Sequence, residues 1–539
     1  MHSFFILYVF LTLIILGLVL IANRLRLPYP IVLVLGGLAL SFSTQFSRIA
    51  IDPESVFFIF LPPLLYEAAW QISWKEFWKW RRLIASFAFP IVIITACVIA
   101  LASWALIPGF TLALGFLLGG IISPPDAISA TTIMRRVNVP KAMVSIVEGE
   151  SLLNDASSLI VFRFALVAVL TGQFYLQEAA LSFVVVILGG LAVGLAGGFV
   201  FYQIHRRLPL TTSIEIVLTL ATPYCLYLVA EQFHVSGVLA VVTGGLFLSS
   251  RRQRQLKFKS RIQGVNVWAN LVFLLNGLVF LLIGLQLPAV VQQLGDTTLG
   301  RAIGYALLIS LVLVVTRLIC TLGASAFTRF MSHFIRVADA HPGWRNPLIL
   351  GWAGMRGVVS LAAALSIPLV DSTGQPFPFR NLILFITFSV ILVTLVFQGL
   401  TLPWVIRTVK LEDKYTAISD YEQQVLIQKK TVEAALELLD EKYAQERAQN
   451  EHLHHLFRRL EIDLRSLDHE LSTHDPDGNS LDRYNKIYLE VLERQRTLLD
   501  DMNHSADFDE ELIRKYLSLI DLEEFKMREK QLHEADTPD

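Results

Sequence analysis

Cysteine is scarce in this chain. Cys97, Cys225 and Cys320 are the three among 539 residues, and each falls inside an apolar run, which excludes a disulfide framework and a thiolate metal site. Charge is scarce as well, at 17% of residues. Lys plus Arg number 45 and Asp plus Glu 46, so a net charge of −1 offers no electrostatic case for a nucleic-acid partner. No basic segment precedes the first apolar run, and its nearest charges, Arg24 and Arg26, follow it. That is not the pattern of a cleaved signal peptide, so the run is expected to remain as an anchor with the N-terminus outside.

What the chain has in abundance is apolar length. Hydrophobic residues make up 54% of it, and its mean hydropathy is +0.56. From residue 1 to 410 apolar runs alternate with short polar loops, whereas 411–539 is charged and nearly free of such runs. The expectation is an all-α polytopic membrane domain, 1–410, followed by a soluble helical tail, 411–539. A span needs about 20 apolar residues. Thirteen segments qualify: 4–22, 30–47, 54–73, 83–107, 111–133, 143–170, 178–204, 212–230, 235–250, 265–288, 301–328, 347–369 and 380–407. Loop charges test the count. With the N-terminus outside, roughly twenty basic residues fall in the inner loops against Arg48, Arg301 and Arg380 in the outer ones, as the positive-inside rule demands. The tail is then cytoplasmic, and the address is the cell membrane.

Ionisable groups inside spans cost a few kcal/mol each and need a partner or a task. At 1.5 Å per residue, Asp126 lies roughly 22 Å and Glu67 roughly 20 Å from the outer face. Asp155 lies roughly 18 Å and Arg356 about 14 Å from the inner face. These residues share one layer. Two of the spans are also interrupted. Pro124 and Pro125 deprive the carbonyls of Gly120 and Ile121 of helical donors. Glycines 351, 354 and 357 weaken the helix around Arg356. Backbone left unpaired at this depth is tolerated only inside protein or beside a wet cavity. The interrupted spans are each next to last in six-span halves of opposite orientation, the pattern of an inverted-repeat secondary transporter with a midplane site.

Helical spacing sorts the polar stretch E-G-E-S-L-L-N-D at 148–155. Ser151 and Asp155 share one face, and Glu150 and Asn154 share the adjacent one. The first stripe offers oxygens to a cation. The second holds a carboxylate for which Arg356 is the expected partner, leaving Asp155 and Asp126 to a bound cation or proton. Glu67 either lines the entry path or caps a neighbour. Glu148 either attracts cations or stands as a solvated helix start. Arg163, Arg317 and Glu215 read as structural partners.

Five motifs in order, F-L-P-P-L-L-Y-E-A-A, S-P-P-D-A, E-G-E-S-L-L-N-D-A, F-L-L-I-G-L and G-W-A-G-M-R-G-V-V-S-L-A, resemble the monovalent cation:proton antiporter-1 family of NhaP and Na+/H+ exchanger type. The resemblance covers roughly 6–410. It implies inverted repeats with two crossed, unwound helices in the fifth and twelfth spans, and a homodimer. It implies that Asp155 binds the transported Na+ or proton with help from Asp126, Ser151 and the nearby backbone. Further implications are a structural Glu150–Arg356 pair bridged by Asn154, and electroneutral one-for-one exchange from the Asn154-Asp155 pair. Where the family often has Thr-Asp, this chain has Pro125-Asp126, so position 125 offers a carbonyl and no hydroxyl.

The function expected is Na+/H+ antiport in pH and sodium homeostasis, with a proton and Na+ competing for one carboxylate. A K+ or Li+ for proton exchanger is the alternative. A channel would need a continuous polar stripe, which no span shows, and a signalling protein would need an output domain. The tail has no phosphate-binding glycine loop or metal-ligand cluster, so the chain is expected to be neither an enzyme nor in need of a cofactor beyond the transported Na+ and H+. Tail helices are expected over 425–443, 456–471 and 484–499, with breaks at 473–480 and near 503–508. They suit a regulatory or dimerising domain. His452, His454, His455, His469 and His474 are either a pH-sensing group or simply solvated.

Overall fold

The computed structural model describes residues 2–42, 53–137, 139–172, 176–251, 256–292, 294, 297–334, 339, 343–370, 374–409, 411, 420–473, 479–503 and 509–532. His474 and most of the expected breaks at 473–480 and 503–508 lie outside them, as does the side chain of His469. The chain divides into two compact units, Met1–Glu412 and Asp413–Asp539.

In the first unit the described part of every expected segment falls on a helix or on a helix pair interrupted in the middle, with 43–47 of the second segment outside the described residues. The helices are α1 (His2–Leu25), α2 (Tyr29–Ser41), α3 (Pro53–Gln71), α4 (Trp74–Ser86), α5 (Val92–Leu106), α6 (Leu112–Ile122), α7 (Ala127–Arg136), α8 (Lys141–Thr171) and α9 (Leu176–Arg207). They continue as α10 (Thr212–Gln232), α11 (Gly237–Ser249), α12 (Phe258–Gln292), α13 (Leu299–Met331), α14 (Arg345–Trp352), α15 (Val358–Leu365), α16 (Arg380–Val393) and α17 (Gly399–Val409). Among the described residues, eight helical segments are long and apolar enough to cross a membrane by themselves.

Local sequence explains where these helices start and bend. Ser73, Thr111 and Ser236 accept the N–H three residues on and cap α4, α6 and α11. Pro90 lies in a π-helical turn, Phe87–Ile91, which carries α4 into α5 with the missing donor absorbed by the wider turn. A second π turn, Thr394–Gln398, joins α16 to α17. Leu188 and Val200 of α9, Val217 of α10, and Leu311 and Ile319 of α13 point outward as an apolar surface suited to lipid.

Two groups of helices pack within the unit. One contains α1–α3 and α9–α12; the other contains α4–α8 and α13–α17. In the first group α2 crosses α12 at Gly37 and Gly284, where an added Cβ would lie 2.2 Å from Leu281 O and 2.1 Å from Val34 O. Only glycine permits backbones that close, the usual means of tight helix association without a hydrophobic driving force.

The described residues of the second unit form two helical hairpins. In the first, α18 (Asp420–Gln449) returns as α19 (Glu451–Thr473). Asn450 turns the chain, its Oδ1 accepting the N–H groups of His452 and Leu453 at 3.0 and 3.4 Å. Lys429 and Asp468 link the two helices at 2.6 Å. In the second, α20 (Asn479–Asn503) and α21 (Glu510–Leu532) bury Leu492 and Ile513. There Arg496 of α20 pairs with Asp521 at 2.7 Å and with Glu524. His452, His454 and His455 are exposed.

Candidate functional site

The proline pair ends α6, and Asp126 begins α7 as its N-cap. The Asp126 carboxylate accepts the N–H groups of Ile128 and Ser129 at 3.4 and 3.5 Å, and the Ser129 hydroxyl at 3.3 Å. In the twelfth segment α14 stops at Trp352, and α15 resumes at Val358 after the non-helical stretch 353–357. The two interruptions meet. Asp126 donates its N–H to Met355 O at 2.7 Å, and a Cβ on Gly357 would fall 2.6 Å from Asp126 Cγ.

Helix ends buried this deeply need partners for every peptide group, and the neighbouring side chains supply them. Asn154 Nδ2 donates to Pro125 O at 3.0 Å, and Ala127 donates its N–H to Ser151 Oγ at 3.3 Å. The fully buried Arg356 donates through Nε to Ile122 O at 2.9 Å, through Nη2 to Ser123 O at 3.2 Å, and through Nη1 to Gly354 O. Its own peptide N–H goes to Thr394 Oγ1 of the π turn at 3.2 Å.

This arrangement corrects the expected Glu150–Arg356 pair. Glu150 binds Arg317 of α13 in a two-pronged contact, Nη1 to Oε1 and Nη2 to Oε2, both 2.8 Å. The two side chains are 1% and 3% exposed. The reason is one of orientation: each of Arg356's three guanidinium nitrogens is turned to a carbonyl at the helix breaks, and the buried carboxylate is met by Arg317 instead. Gly354 makes room, since a Cβ there would lie 2.3 Å from Arg317 Nε. Asn154 does not bridge the pair either, because its amide is committed to Pro125, and its Oδ1 is buried without a partner among the described residues. Sequence reading placed Arg317 among structural partners without naming which. The signal was present in V-V-T-R-L-I-C, an arginine deep in an apolar run that demands an anion at its own depth. Thr394 carries no comparable signal.

The remaining expected residues separate by place. Ser151 and Asp155 share the face of α8 toward the crossing, with Asp155 5% exposed. No donor among the described residues bonds the Asp155 carboxylate, and no cation pairs with it. Glu67 is half-buried on α3 and accepts from Gln71. Glu148 pairs with Arg135 at 2.7 Å, which places the residue that sequence spacing left open. Arg163 pairs with Glu231 at 2.8 Å. Glu215 is buried in the first turn of α10, its Oε2 without a hydrogen-bond partner among the described residues. A buried carboxylate lacking both donor and cation, set where two helix ends stop short, is suited to holding a small cation or a proton.

Comparison with known proteins agrees with this architecture. The family described as sodium/hydrogen exchanger, transmembrane, matches residues 9–408. An uncharacterised Na+/H+ exchanger of Mycobacterium tuberculosis is 31% identical over 516 residues, covering 94% of this chain and 93% of that protein. A sodium, potassium, lithium and rubidium/H+ antiporter of Bacillus subtilis is 36% identical over 391 residues, 70% of this chain and 57% of that protein. The Na+/H+ antiporter ApNhaP of Aphanothece halophytica is 33% identical over 387 residues, 71% of this chain and 70% of that protein. Among solved structures, the sodium proton antiporter MjNhaP1 of Methanocaldococcus jannaschii shares the fold, with a TM-score of 0.60 at 17% identity over 75% of this chain and 98% of that one. With the family match spanning most of its length, this chain belongs to the sodium/hydrogen exchanger family.

Proposed function

We propose that this antiporter exchanges Na+ for a proton at Asp155, one ion per crossing and without net charge movement. The observation that carries the reading is the Asp155 carboxylate, 5% exposed and unbonded beside the crossed helix breaks. A bare carboxylate in an apolar barrier is costly, so crossing is favoured only once a cation or a proton has neutralised it. Competition for one group then couples the two flows. Ser151 Oγ, the Pro125 carbonyl and Asn154 Oδ1 are the neighbouring oxygens available to a hard cation. Asp126 adds a second carboxylate, held in place by its capping bonds to α7. Glu67 lines the approach from the side of Glu148 and Arg135.

The proposal extends to orientation and assembly. The inner-loop excess of Lys and Arg supports an outer N-terminus and a cytoplasmic tail in the cell membrane. Resemblance supports a homodimer, and the tail's hairpins suit a regulatory or dimerising part. A second reading, exchange of K+ or Li+, is favoured by the cation range in the name of the Bacillus relative.

The test is cation-dependent proton flux in proteoliposomes, with Na+, K+ and Li+ at several pH values and with the membrane potential clamped. Asp155→Asn should reduce the flux to background; undiminished exchange in that variant sinks the reading. Flux that responds to the clamp would replace electroneutral exchange with a charge-moving cycle.

A further inference from the structure

A cavity of about 160 Å³ lies against α8 beyond Asp155. Its lining includes Ala156, Ile160 and Arg163 of α8, Tyr227 and Glu231 of α10, and Ser366 at the end of α15. Ala156 directly follows Asp155, and Arg163 is eight residues on, about 12 Å along the helix. The cavity therefore begins one helical position beyond the ion-binding candidate, whose own side chain is not among its lining residues, and runs toward the end of α8 that is external in the proposed orientation.

Arg163 and Glu231 meet in this lining, Nη2 to Oε1 at 2.8 Å, with side chains 50% and 34% exposed. The helices they join are what distinguishes this contact. The α8 helix packs in the group that carries the crossed breaks, and α10 packs in the other group. The Arg135–Glu148 pair near the opposite end links α7 to α8 inside one group. Transport by alternating access moves one group against the other. Arg135–Glu148 would travel intact through such a motion, while Arg163–Glu231 would have to break.

We propose that the Arg163–Glu231 pair is the outer gate of this transporter, closing the external approach to Asp155 in the conformation described here. The proposal rests on Asp155 as the transport site. Its chemistry fits the task. A guanidinium across the path repels an incoming cation, and the paired state hides the Glu231 carboxylate that would otherwise attract one. Partly exposed ion pairs are weak, so the latch opens without a large barrier. On opening, Glu231 becomes an anionic lining group for the arriving cation while Arg163 withdraws with α8.

The test is access from outside. Full-length protein with Cys97→Ser, Cys225→Ser and Cys320→Ser receives Ser236→Cys, a position lining the same cavity. It is labelled in right-side-out vesicles with a membrane-impermeant maleimide. Arg163→Gln and Glu231→Gln should each speed labelling about threefold to fivefold, the size a partly exposed ion pair supports. The exchange Arg163→Glu with Glu231→Arg should restore the slow rate, which a merely misfolded variant would not do. Unchanged labelling in both neutral variants overturns the gate, and so does acceleration that the charge exchange fails to reverse. Asp155→Asn assayed alongside separates the failures, because exchange retained in that variant removes the site reading, not the gate geometry.

Discussion

The peptide N–H of Asp126 donates to the carbonyl oxygen of Met355 across 2.7 Å. Two helices interrupted at distant points of the chain are thereby joined backbone to backbone. Neither backbone group has a partner within its own helix at that point. The bond needs close approach, and Gly357 provides it.

Gly357→Ala should therefore disrupt the crossing. Its Cβ would meet Asp126 Cγ and Oδ2 at 2.6 Å, neither of them a flexible tip, because the carboxylate caps α7. Overpacking of this kind costs about 1–3 kcal/mol. Thermal unfolding in detergent should show a lowered midpoint and exchange should fall. Gly17→Ala, with nothing within 4 Å of the added Cβ, should be neutral or stabilising by up to about 1 kcal/mol.

The Glu150–Arg317 pair should behave as one unit. Removing a single partner leaves a buried charge uncompensated, at about 3–5 kcal/mol. Arg317→Met alone should be severely destabilised. Glu150→Gln combined with Arg317→Met should lose clearly less than the two single losses added together. Equal additivity in a stability cycle would show that the two side chains do not depend on each other.

Arg356→Lys keeps the charge and should still fail. Lysine has no planar fork to serve Ile122 O, Ser123 O and Gly354 O together. Each buried carbonyl left without a donor costs about 1–3 kcal/mol. The expected readout is faster amide exchange around 120–127 and 353–358 than in the parent protein, with the protein still inserted in the membrane.

In the tail, the guanidinium groups of Arg528 and Arg496 hold the Glu524 carboxyl below its ordinary value. A group with a depressed folded-state value stabilises the fold above its unfolded value and loses that contribution as pH falls through the folded one. The hairpin of α20 and α21 should accordingly loosen as pH drops through the glutamate range and below. For such an exposed cluster the effect is under about 1 kcal/mol. Hydrogen exchange over 488–524 at pH 6 and pH 3 measures it, and Glu524→Gln should remove that part of the pH dependence.

Much of this arrangement is legible in the amino-acid sequence. Apolar length and loop charge marked thirteen segments, and Pro124-Pro125 and the glycines around Arg356 marked the two breaks, because missing donors and missing side chains are properties of the residues themselves. Depth was legible too, since rise per residue is constant. Azimuth was not. Arg317 and Arg356 share a layer with Glu150, and which one faces it depends on how α8, α13 and the α14–α15 break are rotated against one another. The commitment of Arg356 to carbonyl oxygens was equally hidden, because those acceptors belong to every residue and have no letter in the sequence.

The guanidinium of Arg356 ties the stretch between α14 and α15 to the end of α6, and the Asp126–Met355 bond ties it to the start of α7. Fastened twice, the four half-helices form a single cassette. Asp155 leans on that cassette through Asn154 and Ser151 of its own helix, which fill the cassette's open valences. A cation held there would keep the same ligands from one face of the membrane to the other, as freight riding with its own cradle. Selectivity would then be decided once, at loading, and speed by how freely the cradle slides.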